Sequence, residues 1–158
     1  MLRREIELAR DGHSRFALML LDLNHFKSIN NAHGHDVGDR VLQRVAAILV
    51  QCVRGSDYLF RLGGEEFLLV LVAVNPQHAR VLAEQIRLSL AESPLTLPAG
   101  RTLSVTASIG VAPLNGHPDY EHLVNRADRA ICLAKQRCRD QVVMADDSPA
   151  AAATSSSE

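Results

Sequence analysis

Tyr58-Leu59-Phe60-Arg61-Leu62-Gly63-Gly64-Glu65-Glu66-Phe67-Leu68-Leu69-Val70-Leu71-Val72 holds two apolar segments, Tyr58 to Arg61 and Phe67 to Val72, around a polar centre. Short apolar runs on either side of a glycine pair read as a β-hairpin, with Gly63 and Gly64 supplying the turn. The tip of that hairpin carries two adjacent carboxylates, Glu65 and Glu66.

Toward the N-terminus, Phe16-Ala17-Leu18-Met19-Leu20-Leu21 is a continuous apolar run, the pattern of a strand buried on both faces, and it ends in Asp22. A helical stretch from Asn24 to Asn31 follows, with His33-Gly34-His35 as a break. A second helix starts at Asp36 or Gly38 and spaces Val41, Leu42, Val45, Ile48 and Leu49 along one face. Leu2 to Arg10 is charged and helical in pattern. Toward the C-terminus, Asn75-Pro76 starts a helix with Leu82, Ala83, Ile86 and Leu90 on one face. Pro94 to Gly100 is a loop and Leu103 to Val111 is strand-like. The last helix spaces Tyr120, Leu123, Val124, Ala127, Ile131 and Ala134 at helical period, and its pattern runs on to Arg139; Val142-Val143 is a closing strand. The expected fold class is α+β, an α/β sandwich with one sheet flanked by helices. One domain over residues 1–144 is expected, and the Asp, Ser, Ala and Thr of residues 145–158 read as a disordered tail.

A chain of 158 residues, 47% hydrophobic and 22% charged, is of ordinary size for one globular domain. Its formal net charge of -1 argues against a general nucleic-acid binder, so any phosphate site must be local. Cys52, Cys132 and Cys138 have no metal-binding spacing and read as reduced thiols, as in a cytoplasmic protein. No secretory signal and no membrane-spanning run is present in the sequence.

Adjacent Glu65 and Glu66 repel one another, and a divalent cation removes that penalty; hard carboxylate oxygens suit Mg²⁺. Asp22 adds a third carboxylate if its strand pairs with the hairpin. Taken alone, the acidic pair reads more readily as an exposed turn without a ligand, and it is the surrounding residues that reverse this. Leu23 to Lys27 opens a helix, where free backbone N–H groups and the Lys27 ammonium would suit a phosphate. Lys135 and Arg139, four apart on the last helix, would share a face and repel unless an anion lies between them, although two cations at a helix C-terminus also need no ligand.

These residues together resemble a known family. Arg61 to Phe67 is similar to the signature of GGDEF domains in its G-G-E-E-F form. Asp22-Leu23-Asn24-His25-Phe26-Lys27-Ser28-Ile29-Asn30, with Gly34-His35 and Gly38-Asp39, resembles that family's D-x-D-x-F-K-x-x-N…G-H-x-x-G-D stretch. Ser108-Ile109-Gly110-Val111 and Arg126-Ala127-Asp128…Ala134-Lys135 resemble its last motifs. The similarity covers about Leu2 to Val143 and implies a diguanylate cyclase, which joins two GTP into cyclic di-GMP and releases pyrophosphate. It also implies a mostly antiparallel sheet like the palm of nucleotidyl cyclases and polymerases.

The resemblance implies roles residue by residue. Asp22, the Leu23 carbonyl, Glu65 and Glu66 would hold Mg²⁺ (or Mn²⁺), with Asp22 and Glu65 catalytic. Glu65 is a candidate for base or for metal ligand. Asn30 and Asp39 would read guanine. His25, Phe26, Lys27, Lys135 and Arg139 would bind phosphates. Arg54 and Asp57 match the R-x-x-D site at which such enzymes bind their product as an inhibitor. Catalysis across a homodimer is implied as well. Read without the family, Arg54 and Asp57 are a surface pair, and His33-Gly34-His35 is a structural loop rather than a metal site.

The chain departs from the pattern in places. Asn24 stands for the second Asp, which would weaken the charge around a metal. Cys132, Cys138 and Asp140 stand for the common Tyr, Gly and Asn of the last motif, and Gln85 for a second product-binding arginine. The D-x-L-T-x-L-x-N-R opening is missing, as in a piece cut just inside the domain. Arg54 to Phe67 and Asn115 to Glu121 resemble the globin-coupled, oxygen-sensing branch, which implies an upstream haem sensor in a longer protein. A non-catalytic module that binds GTP or cyclic di-GMP is the competing expectation; it would more often have a broken signature or guanine-reading pair.

Overall fold

Every residue of the first strand, β1 (Phe16–Leu23), is buried. The reason is visible in the computed structural model, which describes residues 16–113 and 120–145. β1 is the middle strand of a five-stranded sheet, and helices cover both sheet faces. After β1 come α1 (Phe26–His33), α2 (His35–Cys52), β2 (Tyr58–Arg61), β3 (Glu66–Val72), α3 (Pro76–Ala91), β4 (Leu95–Thr96), β5 (Thr102–Leu103), β6 (Ala107–Pro113), α4 (Tyr120–Gln136) and β7 (Val142–Met144). The sheet order is β2-β3-β1-β6-β7. All neighbours are antiparallel except β6 and β7. The class is α+β, with a mostly antiparallel sheet flanked by helices, as expected.

The period-2 alternation of the strands sorts the core into two layers. Ala17, Met19 and Leu21 of β1, with Leu69 and Leu71 of β3, pack under Val45 and Leu49 of α2 and Ala83 and Ile86 of α3. Phe16, Leu18 and Leu20, with Leu68 and Val70, face Leu123, Ala127 and Ile131 of α4. An antiparallel sheet covered on both faces reads as unbroken apolar runs, which is why alternation is hard to see in the sequence.

Three boundaries differ from the sequence reading. Residues 94–100 are not wholly a loop: β4 pairs with β5 in a separate ribbon, turned by Ala99 and Gly100 at φ of 71° and 77°. The strand expected from Leu103 to Val111 is therefore split, and β6 begins at Ala107. Finally, α4 stops at Gln136, three residues short of Arg139. The Arg139 N–H donates to the Ala134 carbonyl, and Cys138 is left-handed at φ 77°. That is the Schellman stop, in which the left-handed residue is usually glycine. With cysteine there, the sequence carries no stop signal. Residues 2–10, the segment 114–119 and the tail beyond residue 145 lie outside the described residues. No helix among the described residues is long and apolar enough to cross a membrane. Cys52, Cys132 and Cys138 are unpaired.

Gly110 fixes how closely α4 lies on the sheet. A Cβ there would meet the Ile131 nitrogen at 2.4 Å, the Ala127 oxygen at 2.8 Å and the Ile131 Cα at 2.9 Å. All three are helix backbone and cannot swing aside. Gly110→Ala gains about 0.4–1 kcal/mol of unfolded-state entropy against an overpacking cost of about 1–3 kcal/mol. The net result should be a fall in Tm of a few degrees, read by thermal unfolding. An unchanged or higher Tm would mean that α4 shifts freely.

Candidate functional site

The site begins where β1 and β3 end side by side. Asp22 is paired in register with Glu66, and the Leu23 N–H donates to the Glu65 carbonyl at 3.1 Å. The pairing that the sequence left conditional therefore exists, and it brings three carboxylates to one sheet end. Among the described residues no three such groups converge closely enough to form a complete metal cage by themselves.

The expected hairpin exists, with β2 pairing β3 on either side of Gly63 and Gly64. Neither Gly63 nor Gly64 is left-handed. Arg61 instead closes the tip, its Nε donating to the Gly63 carbonyl at 3.1 Å and its Nη2 to that of Gly64 at 3.0 Å. A Cβ on Gly64 would meet nothing within 4 Å. Gly64 thus leaves open space in front of the tip, where backbone can approach a ligand closely, whereas a Cβ on Gly63 would touch Glu66 Oε1 at 3.5 Å.

After Leu23 the chain turns through His25, left-handed at φ 58°, into α1, whose N-terminus has no side-chain cap. First-turn N–H groups thus face a cleft of about 500 Å³. The walls of the cleft are Asp22, Leu23, His25, Phe26, Lys27 and Ser28 on one side, with Glu65, Glu66, Lys135 and Arg139 on the other. Every residue anticipated for metal or phosphate lines this one cleft. Ser28 does too; it had been given no role, since a serine in a helical first turn carries no distinguishing signal.

The charges in the cleft are partly compensated. Lys135 Nζ is paired with Asp22 Oδ2. Glu65 has its pKa raised above the ordinary carboxylate value by desolvation first, then by the charges of Asp22 and Glu66, with Lys135 pulling the other way.

Arg139 reaches the cleft by an unexpected route. It does not share a helix face with Lys135 but sits in the turn after α4, where Cys138, Arg139 and Asp140 are left-handed at φ of 77°, 61° and 44°. Each such residue costs about 1–2 kcal/mol unless it is glycine or, less severely, Asn or Asp.

Asn24 also departs from expectation. It is 3% exposed and points away from the cleft. Its Nδ2 donates to Thr106 Oγ1 at 2.8 Å, and its Oδ1 accepts from Ser108 Oγ at 2.8 Å. Its N–H donates to the Thr106 carbonyl. An uncharged amide suits a seam with only hydroxyl partners, where a carboxylate would carry an uncompensated charge. The replacement takes no ligand from the carboxylate cluster.

Asn30 and Asp39 lie outside the main cleft. Asn30 is one turn along α1 from Phe26 and Lys27, about 5 Å further along the axis. Its Oδ1 is buried without a hydrogen-bond partner. It rests on Gly38, where a Cβ would come within 1.8 Å of it. Asp39 lines a second hollow of about 300 Å³ with Leu42, Gln43, Ala46, Arg61 and Phe67.

Arg54 and Asp57 sit at the other end of β3, six strand residues from Glu66, or roughly 20 Å. Asp57 has a 1% exposed side chain that accepts from the Arg54 N–H at 3.0 Å and the Val72 N–H at 3.1 Å. Arg54 pairs with it at 3.3 Å and remains 55% exposed. Asp57 is thus committed to the turn, and Arg54 is the member of the pair that solvent reaches.

The raised pKa of Glu65 carries a sign. A carboxyl whose folded pKa lies above its unfolded one favours folding below the unfolded value and loses that contribution as pH rises through the folded value. At pH 7, with metal chelated, ionised Glu65 therefore opposes folding. Glu65→Gln should raise Tm by about 1–2 °C at pH 7, and the difference should vanish near pH 4. A drop in Tm at pH 7 in calorimetry would contradict the electrostatic reading.

Comparison with known proteins agrees with this geometry. The family model described as diguanylate cyclase, GGDEF domain, matches residues 1–141. Diguanylate cyclase DosC of Escherichia coli is 38% identical over 142 residues, 90% of this chain and 31% of DosC. Diguanylate cyclase DgcP of Pseudomonas aeruginosa is 38% identical over 146 residues, 90% of this chain and 22% of DgcP. The chain thus spans about a third or less of these relatives. The crystal structure of the GGDEF domain of DgcB from Caulobacter crescentus, in complex with c-di-GMP, superposes with a TM-score of 0.85 at 27% identity. That match covers 89% of this chain and 84% of that one. With its signature tip, its cleft and its palm-like sheet in place, the chain belongs to the GGDEF domain family of diguanylate cyclases.

Proposed function

We propose that this domain is the catalytic module of a diguanylate cyclase, condensing two GTP into cyclic di-GMP with release of two pyrophosphates. The observation that carries the reading is the single cleft into which three carboxylates, an uncapped helix N-terminus and three cationic side chains open together.

The donor set fits Mg²⁺ (or Mn²⁺). Mg²⁺ is usually bound by one or two carboxylates plus substrate phosphates rather than by an all-protein cage. Asp22, Glu65 and the Leu23 carbonyl, with Glu66 beside them, match that pattern, and the pKa of Glu65, raised by desolvation first and then by Asp22 and Glu66, is one that a bound cation would lower. When bound, the metal supplies charge neutralisation for the leaving pyrophosphate and acidifies the attacking hydroxyl.

The rest falls to the chain's own groups. Backbone at His25 and Phe26, with Lys27, Lys135 and Arg139, holds the β- and γ-phosphates. The open space before Gly64 lets the nucleotide approach the tip. The Asn30 amide and the Asp39 carboxylate read the polar edge of guanine, and Gly38 keeps room for the Asn30 side chain, whose Oδ1 rests on it. The 3′-oxygen of one GTP then bonds to the α-phosphorus of the other as the bond to pyrophosphate breaks. Glu65 is the candidate for assisting removal of the hydroxyl proton, as base or as metal ligand, and its raised pKa suits the base role. One site holds one GTP, so two copies must face each other as a homodimer, and each contributes one such attack.

The relatives are much longer than this chain. An upstream sensor that brings two copies together is therefore part of the reading, a haem globin where the globin-coupled resemblance extends that far.

At high protein concentration, with GTP and Mg²⁺, the protein should produce cyclic di-GMP and pyrophosphate, followed by chromatography. Asp22→Ala should lower the rate by at least ~10²-fold, as for other lost charge stabilisers, with unfolding still cooperative. Near-normal turnover in that variant removes Asp22 from the chemistry.

Product inhibition at Arg54 belongs to the same proposal. The exposed Arg54 guanidinium, braced by Asp57, would contact phosphate or guanine of cyclic di-GMP. With Gln85 where a second arginine is common, the inhibition should be weak. Gln85→Arg should tighten product binding in calorimetry, and Arg54→Ala should weaken it by about tenfold or more. Unchanged affinity in Arg54→Ala would move the inhibitory site elsewhere.

A further inference from the structure

The turn that delivers Arg139 to the cleft is left-handed at three successive residues, none of them glycine, yet it holds its shape. Its brace comes from a different element. Arg87, on α3, reaches across with Nη1 to Asp140 Oδ1 at 3.1 Å and to the Asp140 carbonyl at 3.4 Å. The same guanidinium is oriented from behind by Glu84, whose Oε1 accepts from Nε at 2.7 Å. Both carboxylates favour its charged form, Glu84 most strongly, and it is only 20% exposed. Gln141 Nε2 adds a bond to the Arg139 carbonyl at 3.2 Å. Within the turn, the Arg139 N–H donates to Ala134.

A glycine at position 138 would adopt this backbone at no steric cost, whereas cysteine resists it. Something outside the turn must oppose that resistance, and the Glu84–Arg87–Asp140 chain is the contact that links the turn to the α3 face of the sheet. We infer that Arg87 is a positioning residue for the cleft, a strap that keeps the glycine-free turn left-handed and Arg139 in the cleft wall. The consequence for the reaction rests on the reading of Arg139 as a phosphate contact. The strap itself does not.

Arg87→Met keeps the aliphatic stem and removes the strap. Amide hydrogen exchange at Arg139 should then rise by about tenfold, and KM for GTP should rise by about tenfold with kcat within about twofold, the size expected for losing one charge-assisted contact. Adding Cys138→Gly to that variant should restore much of both, because glycine removes the resistance at position 138 while Arg139 and Asp140 stay left-handed; a merely structural loss would not be rescued at that position. Should Arg87→Met prove unstable, Asp140→Asn removes the charge from the same contact at its exposed end and keeps a residue that tolerates the left-handed backbone. Exchange at Arg139 that stays unchanged, or a Cys138→Gly addition that restores nothing, overturns the strap. Exchange that rises and is rescued while KM stays flat leaves the strap standing and removes Arg139 from nucleotide binding.

Discussion

The antiparallel pairing of β1 with β3 is the constraint on which the rest depends. Its register is fixed by the core, where Met19 lies opposite Leu69 and Leu21 opposite Phe67, and a slip of one residue would turn every apolar side chain to the wrong layer. That same register sets Asp22 beside Glu66 and the Leu23 N–H on the Glu65 carbonyl. Carboxylates that repel one another are held together by strands that cannot slide apart. The hydrophobic layers thus oppose an electrostatic cost at one end of the sheet, and that cost is what a cation would relieve.

Much of this was legible because the decisive residues sit at strand ends or in turns, where sequence signals are strongest. The continuous run from Phe16 and the apolar pair around Gly63-Gly64 gave the central strands, and Asn75-Pro76 marked α3, whose Asn75 side chain accepts from the His78 N–H. Other features were hidden for identifiable reasons. Cys138 occupies a left-handed position that glycine usually marks, so the end of α4 was invisible. Asn24 read as a loss of charge around a metal because its sequence position says nothing about direction; only the hydroxyls of Thr106 and Ser108, more than eighty residues away, show that it faces the seam. Arg61 and Arg87 act through contacts with carbonyls and with a distant turn, which no local pattern encodes.

The glycines illustrate the same limit from the other side. Gly63 and Gly64 marked a turn, and the turn is there, yet neither glycine is left-handed. Gly110, unremarked within its motif, is the one whose missing Cβ lets α4 touch the sheet. A glycine in a sequence announces that a side chain is unwelcome. Whether the reason is backbone angle, a neighbouring helix or an approaching ligand is a property of the packed structure.

The ion pair between Lys135 and Asp22 ties these elements into one electrostatic unit. Asp22 belongs to β1 and Lys135 to α4, which Gly110 holds close, so the pair measures how well helix and sheet are seated. On the proposed reading, a Lys135 ammonium that turns from Asp22 to a phosphate leaves Asp22 in need of another cation. Metal and nucleotide would accordingly bind with positive coupling, because each releases a group that the other requires, and coupling of this kind is reciprocal. Asp22 is largely buried, and an unpaired charge there is costly. Nucleotide alone would have to break the pair without compensation, and metal alone would leave Lys135 facing a cation. A cleft arranged in this way favours the two ligands together over either one.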